Sequence, residues 1–118
     1  MLNFLGEILY VSIGAIIGAS LRYLVYSYAL IPILIVNIIG STLAGFSYAR
    51  FSGSLAPNLL LLINIGFLGS LTTFSAFSLE TMNSLISGQI LKATLYVLIS
   101  VFACLLCCYI GYKIGVSL

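Results

Sequence analysis

The chain has 118 residues, 63% of them apolar and 5% charged, against about 25% charged in an average soluble domain. So small a fold cannot bury that much apolar surface in water, so lipid is the expected solvent for its outer face. Four basic residues cannot make a nucleic-acid footprint, and the two carboxylates, Glu7 and Glu80, are far apart with no histidine or aspartate beside them. The composition therefore argues against nucleic acid as a partner and against hydrolytic or conventional metal catalysis.

A membrane-spanning helix needs about 20 mostly apolar residues. Loop signals divide residues 1–118 into four such spans, at about 4–28, 32–51, 57–86 and 91–112, within one domain. The fold class expected is an all-α integral membrane protein of four transmembrane helices. The start of the chain, Met1 to Tyr10, has no basic n-region and no small-residue cleavage site follows it, so no cleaved signal peptide is expected.

In the first span Gly14, Gly18 and Arg22 recur every fourth residue with Ser12, Ala15 and Ala19 beside them, a spacing that lets membrane helices approach closely. Arg22 lies near the end of the span, where a cation either snorkels to the headgroups or lines an aqueous vestibule. Pro32 opens the second span, which carries Asn37, Ser41 and Gly45 at intervals of four. An amide at membrane depth must be satisfied. It serves either as an interhelical hydrogen bond or as a pore donor offering two hydrogens to an anion.

The third span opens at Pro57 and contains GFLGSLTTFSAFS from Gly66 to Ser78. Two glycines and a Ser/Thr/Phe run predict a broken helix near its middle, and freed backbone groups there are tolerated only inside protein or beside a cavity. Phe74 and Phe77 share a face if the local structure is helical. They are either packing residues or ring edges, which carry partial positive charge, along an anion route. The break would also expose carbonyl oxygens suited to a hard cation such as Na+. Glu80 either lies near a mouth or pairs with Arg22. In the fourth span Tyr96, Ser100, Cys104 and Cys108 recur every fourth residue, as packing residues or as a ladder of weak donors. With Cys107 they leave an odd set of cysteines and no second cluster for a zinc site.

Four spans put both termini on one side. Arg50 and Lys113 then fall on the side of the termini, Arg22 and Lys92 on the other. Orientation follows the Lys/Arg imbalance between sides, and an even split predicts insertion both ways up and an antiparallel dual-topology dimer.

The segments GAIIGASLRY (Gly14–Tyr23), NIIGSTLAG (Asn37–Gly45) and above all GFLGSLTTFSAFSLE (Gly66–Glu80) resemble the Fluc (CrcB) family of small bacterial fluoride channels, over essentially the whole chain. The resemblance implies an antiparallel dimer, of this chain with itself or with a paralogue, in the bacterial plasma (inner) membrane. It would conduct fluoride passively out of the cytoplasm and so lessen fluoride toxicity. By position, Phe74 and Phe77 look like the family's phenylalanine box and Asn37 like its pore asparagine, with Ser75 among the hydroxyls nearby. Gly69 and Thr72 match residues whose backbone carbonyls hold a structural, untransported Na+ at the dimer centre, and Arg22 matches the vestibule arginine. Tyr96 and Ser100 fall on the polar side of the last helix, with Ser41, Glu80, Cys104 and Cys108 as further members of a polar track. Cys104 and Cys108 stand where the family usually has hydroxyls, and a thiol is a weaker donor.

Fluoride is small and strongly hydrated, so a pore must replace its water with donors, and neutral donors do so without trapping the ion. The alternative is a proton-coupled transporter of the small multidrug-resistance type, which needs a carboxylate deep in its first span. Here Glu7 lies near that span's beginning and there is no tryptophan. A non-transporting membrane protein would not need the broken third span.

Overall fold

The computed structural model describes residues 2–118. Helix α1 spans Leu2–Tyr28 and α2 Pro32–Phe51. The third span comes in two parts. Its first, α3 (57–71), is an α-turn at Pro57–Leu60, a π-helical stretch at Leu61–Leu68 and a closing α-turn at Gly69–Leu71. Its second, α4, is Phe74–Ile86, and α5 is Ile90–Ser117. With α3 and α4 taken together, four helical spans are long and apolar enough to cross a membrane, as the hydropathy pattern predicts.

Local chemistry explains the boundaries. Pro32 and Pro57 each occupy a first turn, where a missing N–H costs nothing. Between α2 and α3 the chain turns through Gly53 at φ +88°, and between α4 and α5 through Gly88 at φ +74°, a region glycine enters without a steric penalty. The expected break falls at Thr72 and Thr73, whose backbones are extended (ψ 155° and ψ 120°). It therefore lies just after the glycines Gly66 and Gly69, both of which stay helical.

The tight seams join alternate spans rather than consecutive ones. Gly14 and Gly18 of α1 meet the α3 backbone so closely that a Cβ would collide with the Leu62 and Phe67 carbonyls, and a Cβ on Gly66 would lie 2.5 Å from the Val11 carbonyl oxygen. Gly45 of α2 faces the Cys108 carbonyl of α5 in the same manner, and Gly111 faces that of Thr42. Residue numbers rise together along both seams, so α1 runs parallel to α3 and α2 parallel to α5. Lipid tails give no hydrophobic drive between helices, and close backbone packing at small residues supplies the association instead. Val36, Leu68 and Leu71 form the buried centre, packed by Val25, Ile63 and Phe67.

Candidate functional site

The break sets the geometry of the site. Ending α3 at Leu71 frees backbone groups, and Asn37 takes two of them: its Oδ1 accepts the Thr73 N–H at 2.8 Å, and its Nδ2 donates to the Thr73 carbonyl at 3.1 Å. Asn37 thus makes the interhelical bond that the sequence left as one of two options. One Nδ2 hydrogen is not used by this clamp. Gly40, one turn along α2, makes room for the Thr72 side chain, whose methyl would collide with a Cβ there. Thr73 also caps α4, its Oγ1 accepting the Ala76 N–H at 3.3 Å and sharing a hydrogen bond with Ser75 Oγ at 3.1 Å.

Around this clamp lies a groove of about 410 Å³, open on one side. Asn37 and Ser41 line it from α2, Gly69, Thr72 and Thr73 from the break, Phe74 and Phe77 from α4, and Ser100, Val101, Cys104 and Leu105 from α5. None of these side chains is charged. Ser100 is 5% exposed and its Oγ has no hydrogen-bond partner, a condition that costs about 1–3 kcal/mol unless a ligand or water relieves it. Phe77 is 6% exposed and Phe74 76%: Phe77 closes the wall while Phe74 stands at the open side. Their rings lie 5.2 Å apart, and Tyr96 continues the series 5.4 Å from Phe77.

Other sequence candidates lie outside the groove. Arg22 and Ser75 line a second cavity of about 320 Å³ on the far side of Thr73, which borders both spaces. Tyr96 donates from its hydroxyl to Glu80 Oε2 at 2.5 Å and borders a larger apolar cavity with Leu34, Leu95 and Ile99. Among the described residues Glu80 makes no ion pair with Arg22. Cys108 lies with its backbone in the α2–α5 seam, against Gly45. Glu7 sits exposed in the second turn of α1, not at the depth a drug-coupled carboxylate requires.

A polar contact that the sequence reading missed joins α2 to the π-helical stretch. Ser47, 3% exposed, donates to Asn64 Oδ1 at 2.7 Å. Its only sequence signal is an amide inside the apolar run LLINIGFL.

No group of three or more His, Cys, Asp or Glu residues among those described could hold a metal ion, so a cation here would rest on neutral oxygens. Of Gly69 and Thr72, the carbonyl of Gly69 fits such a role in one respect. The Thr73 amide, which a continuing α-helix would bond to the Gly69 carbonyl, goes to Asn37 instead.

Residues 9–112 match the family described as CrcB-like protein, Camphor Resistance (CrcB). The chain is similar to a protein of Shewanella amazonensis, 40% identical with 93% of this chain and 96% of that one covered. It is similar also to one of Methanococcus maripaludis, 43% identical with 89% and 92% covered, and to one of Shewanella baltica, 40% identical with 96% and 98% covered. Each of these three proteins bears the name fluoride-specific ion channel FluC.

Proposed function

The chain belongs to the CrcB family, and on that premise we propose that it is a fluoride-selective channel conducting passively out of the cytoplasm. It is a multi-pass membrane protein and not an enzyme. The observation that carries the fluoride reading is the groove's neutral donor set. A buried, unpartnered Ser100 hydroxyl and the spare Asn37 N–H share one space with the Phe74 and Phe77 rings, with no charged side chain among them. Such donors replace a small anion's water, while a narrow passage denies larger halides the same compensation. No charged side chain in the groove holds the ion back. Arg22, across Thr73, draws anions toward the break.

The working unit is an antiparallel pair of copies in the plasma membrane. Support comes from the even division of Arg22 and Lys92 against Arg50 and Lys113, and from a groove whose open side bears the exposed Phe74. A structural Na+ would rest on the Gly69 and Thr72 carbonyls of the pair, supplying fixed positive charge that holds the two breaks together.

The chain purified alone and reconstituted in liposomes should release fluoride and retain chloride; release of both ions equally, or of neither even on co-expression with a divergent paralogue, overturns the reading. A pair made with a divergent paralogue predicts no flux from the chain alone and flux on co-expression. Omitting Na+ from both sides should abolish release, and undiminished flux would remove Na+ from the proposal.

A further inference from the structure

We propose that Cys104 is a binding site for a soft, thiophilic metal ion, with mercury(II) as the probe, and that metal bound there blocks the groove. The blocking half rests on the channel reading above. The binding half does not.

Three observations carry the site. All three cysteines are free thiols, but only Cys104 lines the groove. Cys108 lies in the α2–α5 seam, where its carbonyl abuts Gly45, and Cys107 borders none of the cavities described. Ser100, one turn before Cys104 on the same face of α5, brings a second donor into the same space: a buried Oγ without any partner. A metal held by Cys104 Sγ would lie one helical turn from a buried hydroxyl that packing leaves unsatisfied. Finally, the groove contains no carboxylate, and Cys104 supplies its one thiol, a ligand for soft ions.

Mercuric chloride is uncharged and crosses apolar surroundings, so scarcity of charge does not exclude it. The step is a ligand exchange: the Cys104 S–H gives up its proton to water, one Hg–Cl bond breaks, an Hg–S bond forms, and chloride leaves. Nothing is oxidised or reduced. The product places a bulky chloromercury group beside Asn37, Phe74 and Phe77, in the space the anion would use.

The test uses the full chain in liposomes, loaded with fluoride and treated with mercuric chloride. Three proteins are compared: the native chain, Cys104→Ser, and Cys107→Ser/Cys108→Ser, which keeps only Cys104. Each flux is normalised to the same protein before mercury. Efflux from the native chain and from the protein retaining only Cys104 should fall to the leak of empty vesicles and return with excess dithiothreitol, while Cys104→Ser keeps most of its own flux. Intact-mass analysis should show one mercury adduct on the protein retaining only Cys104, whether or not it conducts. An unmodified Cys104 overturns the binding site. Modification without block, or block of Cys104→Ser equal to native, overturns the role in conduction. Absence of fluoride flux before mercury is added counts against the channel reading instead, and the mass adduct then decides the site alone.

Discussion

The third span departs from the α-helix twice, and the two departures treat backbone hydrogen bonds in opposite ways. Over Leu61–Leu68 the helix widens, and the Gly69 N–H still reaches a carbonyl of its own helix, that of Asn64. The backbone polar groups stay inside the segment, and the neighbours supply shape and a single side-chain bond, from Ser47 to Asn64. At Thr72 and Thr73 the ladder stops, and side chains from elsewhere must take over, chiefly Asn37. A widened helix therefore asks its surroundings for room, and a broken one asks for chemistry. The donor-lined groove lies at the break and not at the widening.

Substitutions can separate the two. Asn37→Leu should have the largest effect, since it strands the Thr73 N–H and carbonyl at about 1–3 kcal/mol each and removes the spare donor from the groove. Loss of both fluoride flux and resistance to detergent unfolding is expected; retention of both would mean that the break holds itself. Next, Phe74→Ile should spare the fold, because Phe74 is exposed, yet reduce flux. A fall of about tenfold in rate, equal to about 1.4 kcal/mol of barrier, is expected, and unchanged efflux would remove the ring from the ion's route. In the widened segment, Gly66→Ala forces a Cβ against the Val11 carbonyl and the Gly14 Cα. The cost should be about 1–3 kcal/mol of stability, with flux per folded channel preserved, as measured by unfolding curves beside efflux on the same preparation. Smallest, Ser47→Ala removes the bond to Asn64 and should cost about 0.6 kcal/mol, a typical hydrogen bond between membrane helices. A larger loss would show that the widened helix, too, depends on outside chemistry.

Features that change composition were legible in the sequence. Pro32 and Pro57 mark starts, the four apolar runs mark spans, and the Ser/Thr/Phe cluster marks the break to within a few residues. The grouping of Asn37, Ser100 and the two phenylalanines in one groove was reached through the family resemblance, because periodicity alone left each of them with a packing alternative. The π-helix was not legible: LLINIGFL has no signal separating i→i+5 from i→i+4 bonding, and α1 packs closely against this stretch at Gly14 and Gly66. Ser47 escaped because its partner is on another span. The Tyr96–Glu80 bond could have been anticipated, since the two residues stand equally far from Gly88, and a tight turn there sets them opposite each other.

The two-bond clamp at Asn37 has a consequence beyond holding the break. An amide that both accepts from the N–H and donates to the carbonyl of one residue cannot flip, because the reversed group would set donor against donor and acceptor against acceptor. Its plane is locked by the backbone of the helix it joins, and the remaining hydrogen keeps one bearing. A passing ion would then meet a donor already oriented, with no rotational freedom left to lose at each passage. The interruption that would be a defect in any other helix fixes the bearing of the Asn37 amide.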